Sequence, residues 1–303
     1  MKDVIVIGGP TASGKSKLAI ELAKQINGEI ISADSMQIYK DMNVGTAKVT
    51  PEEMDGVKHY MIDFISPEVR YSVSEYKKQA EKYIDEILEK GKIPIIAGGT
   101  GLYIDSLIYG IEFQEEEFDE EYRKQLNTIA EKEGLEKLYQ EAVKIDSIAM
   151  QKISPNDQKR IIRVLEIFHK TGKTKTEQEI ESRKNGVKYN YHVFAIDMDR
   201  AVLYERINKR VDIMINQGLI EEVKGILEKY KEFPTAMQGL GYKEVVQYLN
   251  NEISKDEMIE LIKKESRHYA KRQLTWFRKN KETIWINGEK TVQENIKIIM
   301  NKL

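Results

Sequence analysis

The chain lacks cysteine and is poor in histidine, two of the residues from which metal sites are often built. None of its 303 residues is a cysteine, so disulfides and thiolate metal sites are excluded, which fits the reducing cytoplasm. Its four histidines are scattered without metal-ligand spacing. No apolar run approaches the length of a membrane span, and the first residues lack the plan of a signal peptide. We therefore expect a cytoplasmic protein with no membrane association.

Neither sign of charge dominates the composition. The 48 Lys and Arg residues against 50 Asp and Glu residues give a net charge of −2, which excludes a globally basic nucleic-acid binder. Local basic surfaces remain possible: the stretches 158–175 and 263–281 are strongly basic, and aromatic residues interleave with the second. Such surfaces suit RNA backbones and unpaired bases, although a basic run alone is more often a solvated helix face.

A phosphate-binding motif lies close to the N-terminus. The pattern G-x-x-x-x-G-K-[ST] is matched by Gly9, Pro10, Thr11, Ala12, Ser13, Gly14, Lys15 and Ser16. The β-branched run 4–7 before it predicts a buried strand, and the apolar spacing after it predicts a helix. In that setting backbone N–H groups close around phosphate oxygens, Lys15 reaches the terminal phosphate, and the Ser16 hydroxyl holds Mg²⁺. The motif leaves open whether the phosphates belong to ATP, GTP or another diphosphate.

Strands and helices alternate through the first third of the chain. Apolar runs predict further strands at 29–33, 60–64 and 93–97, and a return strand at 191–197. Alternating strands and helices predict an α/β fold with a doubly wound parallel sheet, whose ligands bind beyond the carboxyl ends of the strands. We therefore expect the P-loop, Asp34 with Ser35, and the turn 98–100 to meet in one cleft.

The pattern becomes entirely helical beyond an acidic run at 112–121. Helical periodicity predicts a helix at 155–170 with Ser154 as its cap. The polar segment 171–188 that follows is expected to be a loop. We interpret 114–188 as an all-helical insertion between two parts of a P-loop core, 1–113 and 189–303. The second part ends in basic C-terminal helices.

Three acids and one threonine are candidates for chemistry. Asp34 follows the second strand and is expected to act as a Mg²⁺ ligand, a general base or a turn cap. Asp63 and Asp197 lie at or near the ends of predicted apolar strands, and either could hold a metal ion in the manner of a Walker B acid. Thr100 lies in a turn with three glycines, which indicates close backbone approach to a ligand or a tight turn without one.

Five ordered motifs resemble those of one enzyme family. They are GPTASGKS at 9–16, SADSMQIY at 32–39, GGTGLY at 98–103, AMQGLGYKE at 236–244 and AKRQLTWFR at 270–278. This set closely resembles the bacterial tRNA dimethylallyltransferases, also called tRNA isopentenyltransferases, of the IPP transferase family. The resemblance spans nearly the whole chain, and its motifs are specific in combination.

The resemblance implies a prenyl transfer to RNA. Dimethylallyl diphosphate would alkylate N6 of the adenosine at tRNA position 37, just 3′ of the anticodon, and diphosphate would leave with Mg²⁺ as the cofactor. By the same resemblance Asp34, Thr100 and Lys15 are catalytic, with Asp34 as the base, and residues 9–16 bind the diphosphate. The family's tRNA-contacting positions correspond to Asp34, Ser35, Met36, Gln37, Thr100, Arg123, Gln158, Lys159, Arg160, Ile161 and Ile162. The insertion would then clamp the anticodon stem-loop, and we expect a monomer.

Three other functions fit parts of the sequence. Many nucleotide and small-molecule kinases share a P-loop core, and a second alternative is a prenyl transferase whose acceptor is free adenine nucleotide. The helical insertion and the basic, aromatic C-terminal helix argue against both, because a small acceptor requires neither. The third alternative is an RNA-binding protein that is switched by a nucleoside triphosphate and transfers nothing.

Overall fold

The protein forms a parallel six-stranded sheet covered by helices. A computed structural model describes residues 1–113, 119–184 and 186–303. The strands pair in the order β3-β2-β4-β1-β5-β6, and every pair is parallel. They are β1 (Asp3–Gly8), β2 (Gly28–Ala33), β3 (His59–Tyr60), β4 (Ile93–Gly98), β5 (Asn190–Asp197) and β6 (Ile284–Asn287). The predicted doubly wound sheet is thereby confirmed.

Helices fill most of the chain between and after these strands. They are α1 (Lys15–Ile26), α2 (Pro51–Met54), α3 (Val73–Glu89), α4 (Gly101–Ile108), α5 (Glu120–Glu133), α6 (Leu135–Ile145), α7 (Ser147–Met150), α8 (Gln158–Thr171), α9 (Lys175–Glu181), α10 (Arg200–Asn216), α11 (Leu219–Lys229), α12 (Tyr242–Leu249), α13 (Lys255–Phe277) and α14 (Val292–Met300). Among the described helices none combines the length and apolarity needed to cross a membrane.

The chain divides into two compact units. The first contains Met1–Ile108 and Lys188–Leu303, and the second contains Tyr109–Val187. The second unit thus begins five residues before the predicted insertion and ends one residue earlier than predicted. The predicted first boundary, between 113 and 114, adjoins residues 114–118, which lie outside the described part and make up half of the acidic run 112–121.

The first unit is organised around the two faces of its sheet. Because side chains alternate along a strand, Val6 of β1 packs with Ile84 of α3 on one face, while Ile7 packs with Leu22 of α1 on the other. A separate apolar cluster joins helices α10 to α13 around the fully buried Tyr242. This helical layer places α10 and α13 beside the carboxyl ends of β1 and β2, where the predicted site residues lie.

The second unit is built entirely from helices among its described residues. Leu126 of α5, Leu138 of α6 and Ile161 of α8 are buried together in its core. The helix α8 begins at Gln158 with Asp157 as its cap, so the predicted start at Pro155 with Ser154 as cap is wrong. Both residue types cap helices well, but Ser154 instead accepts a hydrogen bond from the backbone of Asn156 in the preceding turn.

Two other predictions of secondary structure are also wrong. The predicted loop 171–188 contains α9, which Thr174 caps in a reciprocal capping box with Glu177. The predicted strand 60–64 shortens to β3, because Met61 and Asp63 take left-handed φ angles of 63° and 56°. The chain then turns so that the backbone N–H of Asp63 donates to the carbonyl of Gln37 at 2.9 Å.

Candidate active site

The P-loop presents open backbone donors at the start of α1. Gly14 takes a left-handed φ of 89°, which turns the chain into the helix without a side-chain cap. The N–H groups of the first helical turn therefore have no capping side chain and can bind an anion. Ser13 within the loop is 3 % exposed, and its Oγ has no hydrogen-bond partner among the described residues. A buried hydroxyl in this position can donate to a ligand oxygen.

Two cationic side chains converge beside the loop. Lys15 Nζ donates to the Pro10 carbonyl at 3.2 Å, and burial, together with the charge of Arg210, lowers the pKa of Lys15 to about 8. Burial also lowers the pKa of Arg210, whose Nη2 donates to the Thr46 carbonyl at 3.3 Å. The negative charge of Asp34 partly offsets both effects. Two partly buried cations beside one loop favour a ligand with several negative charges, such as a diphosphate.

Asp34 lies where β2 ends. Its Oδ1 accepts hydrogen bonds from the backbone N–H groups of Met36 at 2.9 Å and Gln37 at 3.2 Å. It therefore caps a turn and, at the same time, lines a cavity with Lys15. The other two candidate acids are engaged elsewhere: Asp63 pairs with Lys48, and Asp197 pairs with Arg278. Of the three acids, Asp34 is the one that faces the cavity.

Thr100 supports the turn that carries Asp34. Its Oγ1 accepts from the backbone N–H of Ser35 at 3.0 Å, and its hydroxyl donates to Ser35 Oγ at 3.3 Å. The glycines around it are required by packing within the protein. A Cβ on Gly98 would lie 2.2 Å from the Ala33 carbonyl oxygen, and one on Gly101 would lie 2.3 Å from the Trp276 ring. For these two glycines the close approach is to other parts of the chain.

The predicted segments meet around one cavity of about 370 Å³. Several predicted site residues line it, namely Thr11, Lys15, Ser16, Asp34, Ser35, Met36 and Gln37. The P-loop and the turn after β2 do meet in one cleft, as predicted, and Thr100 lies one hydrogen bond behind Ser35. One part of the wall is apolar and consists of Ile207, Val211, Met214, Leu240 and Ile262. The cavity therefore combines a cationic, phosphate-binding side with an apolar side.

Helices α10 and α13 supply site residues that the sequence did not reveal. Arg210 on α10 and Tyr269 and Gln273 on α13 all line the cavity. Burial and the nearby charge of Asp34 raise the pKa of Tyr269 to about 12, so its phenol stays neutral. In the sequence, the motif AKRQLTWFR, which contains Gln273, was the feature that could have pointed to α13 as part of the site. No local pattern marks Arg210.

Glu222 fixes another wall of the cavity. Its carboxylate accepts from the backbone N–H groups of Asn43 at 2.8 Å, Val44 at 2.6 Å and Gly45 at 3.0 Å. The hydroxyl of the fully buried Tyr242 donates to the same carboxylate at 2.7 Å. A carboxylate that satisfies four donors holds the loop 43–47 rigidly. Residues 45–47 of that loop line the cavity.

The predicted RNA contacts in the helical unit divide into two groups. Arg123 forms a bidentate pair with the buried Glu166, at 2.5 Å and 2.8 Å, while Gln158 donates to Asn127 at 2.9 Å. Lys159 and Arg160 are exposed on α8.

The predicted RNA contacts at Ile161 and Ile162 fall on buried side chains. They are 0 % and 3 % exposed because this face of α8 packs into the core of the unit. They therefore do not present a surface to RNA.

A Mg²⁺ ion fits the first turn of α1. Ser16 is exposed there and lines the same cavity as Asp34. The described residues contain no cluster of three or more His, Cys, Asp or Glu side chains that could hold a metal ion. Mg²⁺ usually keeps several waters and binds through substrate phosphates and few protein ligands, so an exposed hydroxyl on the wall of a phosphate-binding cavity is a donor that it can use. The Ser16 hydroxyl would be the protein's ligand to an ion carried by a diphosphate.

Comparisons with known proteins agree on one family. The model of the IPP transferase family matches residues 37–280. A protein of Acetivibrio thermocellus named tRNA dimethylallyltransferase is 53 % identical over 302 residues, covering 99 % of this chain and 96 % of the relative.

Two solved structures are also similar to this chain. The crystal structure of a tRNA delta(2)-isopentenylpyrophosphate transferase from Staphylococcus epidermidis is 44 % identical, with a TM-score of 0.74, covering 100 % of this chain and 99 % of that one. A eukaryotic dimethylallyltransferase described as acting on tRNA is 31 % identical, with a TM-score of 0.80, covering 99 % of this chain and 80 % of that one.

Proposed function

The chain belongs to the IPP transferase family, and we propose that it transfers a dimethylallyl group from dimethylallyl diphosphate to tRNA. The acceptor is N6 of the adenosine at position 37, and the products are N6-dimethylallyladenosine and diphosphate. One observation carries the proposal: the phosphate-binding loop and the carboxylate of Asp34 open onto the same cavity. A donor and its acceptor can therefore meet there with a base at hand.

The cationic side of the cavity stabilises the leaving group. As the allylic C–O bond breaks, negative charge develops on the diphosphate, and Lys15, Arg210 and the N–H groups at the start of α1 face it. Preorganised donors that meet developing charge lower the barrier more than they strengthen substrate binding. When Mg²⁺ is bound at Ser16, it neutralises part of the same charge. The apolar wall of Val211, Met214 and Leu240 suits the dimethylallyl tail.

Asp34 takes the proton that the reaction releases. The adenosine nitrogen forms its bond to the allylic carbon as the C–O bond breaks, and the nitrogen becomes acidic as positive charge builds on it. Both backbone hydrogen bonds to Asp34 go to Oδ1, which orients the carboxylate and leaves Oδ2 to accept the proton. The turn 35–37, which Thr100 supports through its hydrogen bonds to Ser35, lines the same cavity and would hold the flipped-out base.

The partner is the anticodon stem-loop of tRNA. Its loop presents the adenosine to the cavity, and its backbone meets cationic groups, including the exposed Lys159 and Arg160 of α8. Arg123, which pairs with Glu166, and Gln158, which donates to Asn127, lie on the same group of helices, and we assign them further polar contacts with the RNA. We assign one chain to one tRNA, with the protein acting as a monomer in the cytoplasm, where its RNA substrate is found.

Mass spectrometry of nucleosides tests this function. Unmodified tRNA is incubated with the protein, Mg²⁺ and dimethylallyl diphosphate, and then digested to nucleosides. We expect one adenosine per tRNA to gain a dimethylallyl group, and a tRNA with guanosine at position 37 to gain none. Prenylation of free adenosine monophosphate instead would favour the small-acceptor alternative. Phosphoryl transfer from ATP without any prenylated product would favour a kinase.

A further inference from the structure

A single glutamine bridges two loops of the site. Gln273 lies on α13 and is 5 % exposed. Its side-chain Oε1 accepts a hydrogen bond from the backbone N–H of Thr11 in the P-loop at 2.9 Å. Its Nε2 donates at 3.0 Å to the backbone carbonyl of Gly99, the first residue after β4. The amide is thus acceptor to one loop and donor to the other.

This bridge requires the amide of a glutamine. A carboxylate of the same length could accept from Thr11 but could not donate to Gly99, and an apolar side chain could do neither. The turn is adapted to it as well, since a Cβ on Gly99 would lie 2.1 Å from Gln273 Nε2. One turn further along α13, Phe277 lies against Gly8 at the end of β1, where a Cβ would be 2.2 Å from its ring. Both loops therefore rest directly on this helix.

The hydrogen bonds continue from Gly99 to the catalytic carboxylate. Thr100 follows Gly99 and accepts from the backbone N–H of Ser35 at 3.0 Å. Ser35 in turn follows Asp34, whose Oδ1 is held by the N–H of Met36 at 2.9 Å. A continuous series of short contacts thus runs from the diphosphate-binding loop through Gln273 to the proposed base.

We infer that Gln273 is a positioning residue that sets the distance between the bound diphosphate donor and the base. The inference rests on the proposed function, because it assigns the P-loop to the donor and Asp34 to the acceptor. Bond formation needs the reacting atoms about 3–3.5 Å apart, and a misplacement of about 1 Å can reduce the rate about 100-fold. The bridge acts on geometry at the reacting centre, so it affects kcat more than the binding of either substrate.

Two substitutions at this position test the inference. Gln273→Met removes both hydrogen bonds at similar volume and should lower kcat per folded enzyme about 10–100-fold. The affinity for an anticodon stem-loop RNA should change less than about threefold, because no RNA contact is removed. The matched control is Asn295→Leu, which alters a buried amide on α14 that donates to the Asn287 carbonyl at 2.8 Å, away from the cavity. It should lower the melting temperature and leave kcat per folded enzyme unchanged.

Gln273→Glu gives a signature that depends on pH. The introduced carboxyl group donates to the Gly99 carbonyl only when it is protonated, and its burial raises its pKa. The ratio of variant to wild-type kcat should therefore rise about tenfold or more as the pH falls from about 8 to about 6. A residue that only stabilised the fold would leave this ratio flat.

The outcomes separate the inference from the proposed function. If wild-type protein prenylates tRNA and Gln273→Met has the same kcat per folded enzyme, the positioning role is wrong and the proposed function stands. A ratio for Gln273→Glu that does not change with pH also overturns the positioning role. If the wild-type protein forms no prenylated adenosine, the proposed function itself is wrong, and the inference falls with it.

Discussion

Ser35 and Thr100 are 65 residues apart in the chain, yet the backbone N–H of Ser35 donates to Thr100 Oγ1 at 3.0 Å. The contact follows from the parallel pairing of β2 and β4, in which Ala33 lies opposite Gly98. Each strand ends there, and the next residues leave the sheet side by side. The sheet itself thus brings the threonine to the turn of Asp34.

Replacing Thr100 tests whether this contact positions the base. Thr100→Val keeps the shape of the side chain but removes the acceptor of the Ser35 N–H, so we expect kcat to fall about 10–100-fold. Thr100→Ser retains the hydroxyl and should stay within about threefold of the wild-type kcat. Single-turnover transfer with saturating donor and RNA measures both rates. Equal activity of Thr100→Val and wild type would show that the hydroxyl is dispensable.

The lowered pKa of Lys15 predicts that the donor is used less efficiently at alkaline pH. Burial lowers the pKa of its ammonium group from 10.5 to about 8 in the free protein, so its charge is present below pH 8 and is lost above it. We expect kcat/KM for dimethylallyl diphosphate to fall as the pH rises beyond about 8. At saturating dimethylallyl diphosphate, kcat should not fall over this pH range, because the bound diphosphate stabilises the charged amine.

Lys15→Arg provides the control for that pH profile. A guanidinium stays charged throughout this range. The variant should therefore be slower than wild type, but its kcat/KM should not fall near pH 8. Initial rates from pH 6.5 to 9.5 at low donor concentration measure the effect. A wild-type profile that stays flat up to about pH 9.5 would contradict the assignment.

Glu29 links folding stability to acid pH. It is buried on β2, which opposes ionisation, but hydrogen bonds from Lys92, Tyr60 and Lys90 lower its pKa from 4.5 to about 2. A carboxyl whose pKa is lower in the folded state contributes stability above about pH 4.5 and loses it progressively as the pH falls to about 2.

Glu29→Gln should therefore destabilise the protein by roughly 2–3 kcal/mol at pH 7, and the difference from wild type should shrink below pH 4. The control is Glu86→Gln, which removes an exposed partner of Lys82 and should change stability by less than about 0.5 kcal/mol. Denaturant unfolding as a function of pH measures both. A constant difference between pH 7 and pH 3 would rule out this linkage.

The exposed cations Lys159 and Arg160 should contribute to the salt dependence of RNA binding. Both are exposed on α8, and neutralising a phosphate with each releases bound counterions. Lys159→Gln combined with Arg160→Gln should reduce the slope of log K against log salt by about one to two units. The matched control is Lys152→Gln, a single substitution that removes an exposed cation outside α8. An unchanged slope in the double variant would mean that this face of α8 does not meet the RNA backbone.

The sequence predicted the parts of the site that are local in the chain. The P-loop and Asp34 each follow a β-branched strand, and parallel strands bring their carboxyl ends to one edge of the sheet. Arg210 and Gln273 could not be assigned in this way, because their roles depend on how α10 and α13 pack against that edge. Gln273 meets Thr11 across 262 residues, a contact that no local pattern specifies.

The errors in secondary structure have a similar physical origin. Met61 and Asp63 have side chains compatible with a strand, but the backbone of Asp63 bonds to Gln37 in the turn after β2 instead. In the helical unit, periodicity correctly predicted a helix over most of α8. The resemblance alone placed Ile161 and Ile162 in contact with RNA, whereas the structure buries both side chains in the core of the helical unit.

The most direct test is the single-turnover rate of Asp34→Asn with saturating dimethylallyl diphosphate and tRNA. Asparagine can still accept the N–H groups of Met36 and Gln37 through Oδ1, so the turn and tRNA binding should be kept, but it cannot take a proton. We expect the rate of prenyl transfer to fall about 10²–10⁴-fold while the affinity for tRNA stays within about threefold. An unchanged rate would show that Asp34 is not the base and that the mechanism proposed for this cavity is wrong.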